Sequence, residues 1–274
     1  MSAESGRRPI TKEEVWALVD PERWTAIREL IEAEARVLSP DARLRQLSGL
    51  IDSGPMFARF HIERALGTRS AAEWADLHRV AESPPGLLLP ALRAVAAWLA
   101  ASAIDAIFVG GVAVTILGRA RYTEDVDVLA ALEDAQLDEA LACAAEFGLK
   151  PRVADAARIA RERRVLLLMH GAACFPVDVI LARVPLERET IRRGHVRDVE
   201  GIAMKLPQLD DLILMKALAH RLADLGDIDT LLAMNPDVDV TRALAIVRDA
   251  AQSIGMSDVI EDLERIVRRR RESR

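Results

Sequence analysis

Apolar residues recur at helical spacing along most of this chain and at strand spacing only in its middle. From Thr11 the pattern is helical, with Thr11 and Glu14 at the separation of a capping box. Asp20-Pro21 opens a second helix running to about Val37, with Trp24, Ile27, Leu30 and Ile31 on one face. Ser39-Pro40 opens a third, carrying Leu44, Leu47, Leu50 and Ile51, and further helices are predicted at 55–66, 70–82 and 87–102. No strand pattern precedes residue 104, so residues 1–100 read as an all-helical module whose role the sequence does not reveal.

The period changes at Asp105. Ala106 to Val109 is a short apolar run closed by Gly110-Gly111, which predicts a buried strand and a tight turn. A short helix is expected over 112–117, with Gly118 placed to end it. Asp125 to Leu129 alternates charged and apolar residues at period 2, the mark of a strand with two different faces. Helices are predicted at 133–147, closed by Gly148, and at 154–163. Two more strands, 165–169 and 177–181, are separated by a turn containing Gly171. From Pro207 helices return at 207–222, 224–234, 240–254 and 257–271. The last has Val259, Ile260, Leu263, Ile266 and Val267 on a single stripe. The expected fold is therefore α+β and helix-rich: a helical N-terminal module at 1–100, a small mixed-sheet core at 101–205, and a C-terminal helical region at 206–274 that completes the site.

Composition supports a folded, helical chain. Apolar residues make up 51% and charged residues 29%, enough for a packed core. Aromatic residues are only 4%, while the abundant Ala, Leu and Arg lose little on entering a helix. The net charge of −6 argues against a broad grip on nucleic acid, so a basic footprint would have to be local. The candidates are Arg158 to Arg164 and Arg268 to Arg271, although the plainer reading of the latter is a solvated helix end. Cys143 and Cys174 have neither paired spacing nor a His cluster, which argues against a disulfide framework or zinc site and puts Cys143 in the core. The polar, charged start predicts no signal peptide, and the apolar stretch Gly86 to Ile104 contains Pro90 and Arg93. It reads as a buried helix rather than a membrane span, and the expected location is cytoplasmic. Trp16, Trp24, Trp74 and Trp98 occupy helical positions and are expected to anchor the core.

The chemistry concentrates between Phe108 and Asp178. Asp125 and Asp127 lie two apart in a strand, so both carboxylates point to one face and repel unless something positive sits between them. Hard oxygen ligands with few His or Cys nearby suit Mg²⁺ or Mn²⁺. Gly110 and Gly111, between a strand and a helix, let the backbone approach an anion and present free N–H groups to phosphates. Asp178 sits in another strand with apolar neighbours. If that strand lies beside the first, three carboxylates converge as two-metal catalysis requires, with the ions roughly 3.5–4 Å apart. Asp178 would then activate an acceptor hydroxyl by binding its metal or taking its proton, and pyrophosphate would leave with the second metal.

This order of Gly-Gly, Asp-x-Asp and a third carboxylate resembles the signature of the polymerase-beta-like nucleotidyltransferase superfamily. Within it, residues from about 104 to 235 are similar to the AbiEii/AbiGii-type toxin nucleotidyltransferases. The resemblance takes in Arg119 or Arg121 with Thr123 before the Asp pair, then Leu186-Glu187-Arg188, then the helix Leu209 to Arg221 with Asp224 and Asp227 beyond it. It implies a nucleotidyltransferase core that takes a nucleoside triphosphate such as ATP. Asp125, Asp127 and Asp178 would hold the metal, and Gly110, Gly111, Arg121, Thr123 and Arg221 the nucleotide. Lys216 and Arg221 would reach the triphosphate and offset charge developing in the transition state. Asp224 and Asp227 would orient those cations or serve as N-terminal acids of the next helix. Relatives often carry a basic residue directly before the first of these acids, where this chain has Ala223, so part of the substrate-facing charge differs.

Each residue also has a plainer reading. Asp-x-Asp alone is more often a solvated strand face, and Lys216 could snorkel beside Leu212 and Leu218. Arg121 could be a strand-edge arginine, Lys205 an exposed strand residue, and His220 a structural helix-face histidine rather than a base. The expected function is metal-dependent transfer of a nucleoside monophosphate to an acceptor. By resemblance that acceptor is tRNA or another RNA, the protein is the toxin of a toxin–antitoxin pair, and an antitoxin protein is its partner. A protein hydroxyl or an aminoglycoside-like small molecule is the less favoured acceptor. The competing class is a regulatory or binding module that keeps the fold and acts through a partner protein. Nucleotide turnover by the purified protein separates the two.

Overall fold

A computed structural model describes residues 32–33, 35–48, 88–121, 123–172, 175–254 and 257–272. The helices expected before residue 32 and at 55–66 and 70–82 lie outside the described residues, as do Trp16, Trp24, Trp74 and Cys174.

After a helical stretch at 40–48, the labelled elements begin with helix α1, Leu88–Ala101. Strand β1 is Ala106–Phe108, helix α2 Gly110–Leu117 and strand β2 Val126–Ala130. A 3-10 turn at Asp134–Gln136 leads into α3, Leu137–Glu146, then β3, Leu149–Pro151, and α4, Ala156–Arg163. The hairpin strands β4, Val165–His170, and β5, Phe175–Leu181, are followed by α5, Pro185–Arg193. A second hairpin pairs β6, His195–Val199, with β7, Ile202–Leu206. Four helices complete the chain: α6 Leu209–Ala219, α7 Leu222–Met234, α8 Thr241–Ile254 and α9 Ser257–Glu272.

The main sheet is mixed, with strand order β1-β2-β5-β4-β3. Only β2 and β5 run parallel, and the other three pairings are antiparallel. The period-2 pattern explains its two faces. Val126, Val128, Ala130, Val177, Val179, Leu181, Leu166 and Leu168 point into the main core and are fully buried. That core also takes in Leu44, Leu47, Leu88, Leu92 and Trp98, so the described parts of the first hundred residues share it. Trp98 is the core anchor its spacing predicts, and its indole Nε1 donates to the Ala140 carbonyl at 3.0 Å. On the other face, Ile107, Val109, Leu129, Ala182 and Ile191 form a smaller cluster under α5. That cover does not extend to Asp178 and Leu167, which are only half-buried, and the opening is where the site lies.

Arginines from the N-terminal residues clasp the core by capping helix ends. Arg43 donates to the Ile116 carbonyl at the end of α2 at 3.1 Å, and Arg36 to the Ala233 carbonyl in α7 at 3.2 Å. Such bonds satisfy carbonyls that a helix end leaves without intrahelical partners. Helix α6 is fixed from the opposite end: Asp211, with no exposed surface, accepts from Arg193 Nε at 2.7 Å and Arg242 at 2.5 Å.

The strands of the site and the C-terminal helices fall within a few residues of expectation. Helix α6 ends at Ala219 rather than 222 because His220 takes a left-handed conformation, φ +49°. Three elements have no counterpart in the sequence reading. Strand β3 has three residues and contains a lysine and a proline, β6 is mostly polar, and α5 buries only Thr190 and Ile191. Among the described residues, no helix is long and apolar enough to cross a membrane.

Candidate active site

Parallel pairing of β2 with β5 sets Asp127 directly opposite Asp178. Side chains in register on neighbouring strands share a face, so both carboxylates project into the opening. Asp125 lies two residues before Asp127 and joins them. All three are half-buried, and each offers a carboxylate oxygen within 4.8 Å of the others.

Three acids this close repel, and burial deepens the cost. The carboxyl of Asp127 is pushed up to about 6, first by burial and then by Asp125 and Asp178, with Lys216 and Arg121 pulling the other way. Asp178 is also raised, chiefly by burial, with Arg152 opposing and Asp125 adding. A site whose own residues disfavour its charged state suits a cation. The donor set is all carboxylate, as a hard ion such as Mg²⁺ or Mn²⁺ requires, so the residues fit one.

Gly110 makes room for Asp127, and Gly111 for Thr123. Gly110 sits at φ +59°, and a Cβ there would overlap Asp127 Oδ2. A Cβ on Gly111 would come within 2.6 Å of Thr123 Cβ and Oγ1. The backbone N–H of Val109 donates to the Asp127 carbonyl at 2.9 Å, which holds the turn against the strand. Thr123, buried, donates its hydroxyl to Asp125 Oδ1 at 3.0 Å and so orients that carboxylate. Beyond packing, the turn leads into the first residues of α2, whose N–H groups are the ones expected to meet phosphates.

The cationic residues form a linked set beside the triad. Lys216 Nζ lies 2.8 Å from Asp224 Oδ1 and 2.9 Å from Asp227 Oδ2, with its side chain 12% exposed. It is held between two acids rather than snorkelling along the surface. Arg121 pairs with the same Asp227, its Nε 2.7 Å from one carboxylate oxygen and a terminal nitrogen donating to the other at 2.9 Å. Asp224 also accepts from the backbone N–H of Arg221 at 3.2 Å, so it serves the start of α7 and Lys216 at once. The Arg221 side chain is exposed at this corner.

Other residues singled out in the sequence are tied up elsewhere. Glu187 accepts from the backbone N–H of Arg183 at 2.7 Å and pairs with Arg164 at 2.5 Å, anchoring α5. His220 Nε2 lies 3.1 Å from Asp262, a tie between helices, and Lys205 pairs with Asp105 at 2.5 Å. Both candidate basic footprints contain arginines paired within the chain. Arg158 meets Glu162 at 2.9 Å, Arg161 meets Asp138 at 3.1 Å, and Arg269 and Arg270 converge on Asp229 at 2.6 and 2.5 Å. Cys143 is half-buried rather than fully enclosed.

One residue at the site was missed in the sequence: Arg152, whose guanidinium pairs with Asp178. Its approach depends on β3, a strand too short and too polar to show a period.

No protein-family model matches the chain, and no curated protein does. Among solved structures it is similar to an antigenic nucleotidyltransferase-like protein from Paracoccidioides brasiliensis, at 13% identity over 64% of this chain and 92% of that one, TM-score 0.34. It is also similar to the antibiotic-resistance factor ANT(2'')-Ia, at 13% identity over 62% of this chain and 94% of that one, TM-score 0.42. Likenesses this distant carry no argument about chemistry. What the chain's own structure defines is an α+β protein with a three-carboxylate cluster able to hold a metal ion.

Proposed function

We propose that this protein is a metal-dependent nucleotidyltransferase that moves a nucleoside monophosphate from a nucleoside triphosphate to an acceptor hydroxyl. The convergence of Asp125, Asp127 and Asp178 on one face of the sheet carries this reading. Divalent cations bound there would polarise the α-phosphoryl group and ease ionisation of the acceptor hydroxyl. Gly110 and Gly111 let Asp127 and Thr123 pack against the turn, and the first N–H groups of α2 would face the triphosphate's charge. Lys216, Arg121 and Arg221 supply positive charge where the leaving group gains negative charge. In the reaction, the acceptor oxygen bonds to the α-phosphorus and the bond from that phosphorus to the bridging oxygen breaks. Pyrophosphate departs, and the acceptor proton is lost to solvent.

The finer assignment rests on the sequence resemblance. Lys216, Asp224 and Asp227, which it picks out together, are paired with one another beside the triad. The pairing bears on the motif alone; it is the resemblance that implies an AbiEii-like protein, with the end of a tRNA or another RNA as acceptor, growth arrest as outcome and an antitoxin as partner. The test is incubation with each α-labelled nucleoside triphosphate, Mg²⁺ and total RNA, alongside induction of the protein in growing cells. Label in tRNA-sized RNA and growth arrest, both lost in Asp125→Ala, are expected. Label on protein or a small molecule would keep the chemistry and discard the RNA acceptor.

A further inference from the structure

One cross-strand row of the sheet contains more than the metal ligands. Asp127 in β2 is in register with Asp178 in β5, and Asp178 is in register with Leu167 in β4. On the far side of β4, the backbone N–H of Arg152 donates to the Leu167 carbonyl at 3.0 Å, which carries the β3 pairing one residue past Pro151. Arg152, Leu167, Asp178 and Asp127 therefore lie side by side across four strands. Leu167 is half-buried on the same face as Asp178, and the Arg152 guanidinium reaches that carboxylate. The two charged side chains are 26% and 27% exposed, so the pair is neither dry nor fully screened by water.

Resting on the proposed metal site, we infer that Arg152 is the built-in counter-ion of Asp178: its guanidinium neutralises the third carboxylate while the site lacks a cation, and its charge competes with the ion when one binds. Asp125 and Asp127 differ in this respect. Asp125 accepts from the neutral Thr123 hydroxyl, and Asp127 feels Lys216 and Arg121, which are themselves bound to Asp224 and Asp227. Among the described residues, only at Asp178 does a cationic side chain sit directly on an oxygen of the triad. The guanidinium sits on Oδ1 of Asp178 and its charge opposes a divalent ion at the same carboxylate, so cation affinity is the ion's attraction less the cost of that opposition. Arg152 is thus a positioning residue that keeps the empty site from springing apart by self-repulsion and sets the cation concentration at which the site fills.

The test uses the full chain and Mn²⁺ alone, with affinity read by the disappearance of free-ion electron paramagnetic resonance and by calorimetry. Arg152→Gln is expected to bind Mn²⁺ about three- to tenfold more tightly than wild type, because the competing charge is gone. Arg152→Lys, which keeps the charge, should stay within about twofold of wild type. Melting curves in chelator check that the variants fold, and Arg152→Gln should be less stable than wild type only while the cation is absent. Equal or weaker Mn²⁺ binding by folded Arg152→Gln overturns the counter-ion role and leaves the metal site standing. No Mn²⁺ binding by wild type overturns both.

Discussion

Replacing Asp127 with Asn should make the cation-free protein more stable, although it removes a residue at the heart of the site. The carboxyl of Asp127 is raised in the folded chain from 3.8 to about 6, with burial the largest cause and its two acidic neighbours next. A folded-state value above the unfolded one means that the folded chain holds the proton more tightly. Stability from this group is then complete at low pH and is lost as pH rises from about 4 through about 6. Two units correspond to about 3 kcal/mol, and the residual exposure of the carboxyl reduces this to about 2 kcal/mol. Chemical denaturation in chelator should therefore find Asp127→Asn more stable than wild type by about 2 kcal/mol near pH 8, with the gap closing toward about pH 4. Using the difference between the two proteins cancels groups of opposite sign, such as Asp229, which Arg270 and Arg269 pull down against its burial. Saturating Mg²⁺ should reverse the order, since about a hundredfold excess over the dissociation constant stabilises wild type by about 2.7 kcal/mol and the variant little. A variant no more stable than wild type near pH 8 in chelator would refute the reasoning.

Further substitutions separate packing from chemistry. Gly110→Ala should cost about 1–2 kcal/mol for the left-handed backbone and reduce transfer about a hundredfold, because its Cβ displaces Asp127, as thermal melts and labelled transfer would show. Lys216→Met leaves buried Asp224 with the Arg221 backbone N–H and buried Asp227 with Arg121, and should lower stability by about 2 kcal/mol, with Asp224→Asn in the same chain recovering part of the loss but no activity. Arg221→Ala, at an exposed position, should shift stability by less than about 0.5 kcal/mol while raising KM for the triphosphate. Asp211→Ala should destabilise by about 3 kcal/mol in urea titration, yet leave the KM of the folded fraction unchanged, because Asp211 only anchors α6.

The acids were legible in the sequence because strand geometry leaves little choice. Two residues apart in a strand means one face, and a polar residue repeated among valines marks a face that is not wholly core. That Asp178 joins them follows from β2 and β5 being neighbours, which the sequence could suggest but not require. The long amphipathic helices α8 and α9 were equally plain, since their apolar stripes are continuous. Arg152 was invisible for a physical reason: its place is set by pairing between strands distant in sequence, and β3 buries only Leu149. The linkage of Lys216, Arg121, Asp224 and Asp227 was likewise only half legible. The sequence pointed to each residue, but one acid shared between a lysine and an arginine appears only when the loop after α2 packs against α6 and α7.

The central claim is that Asp125, Asp127 and Asp178 together drive nucleotidyl transfer. The most direct measurement is transfer of label from α-labelled nucleoside triphosphates to total RNA, protein or small acceptors, with Mg²⁺ and with chelator. Wild type would be compared with the double variant Asp125→Ala, Asp127→Ala. Mg²⁺-dependent label in an acceptor with wild type, and none with the double variant, is the predicted result. No transfer to any acceptor, together with no Mg²⁺-dependent nucleotide binding by calorimetry, would contradict the account.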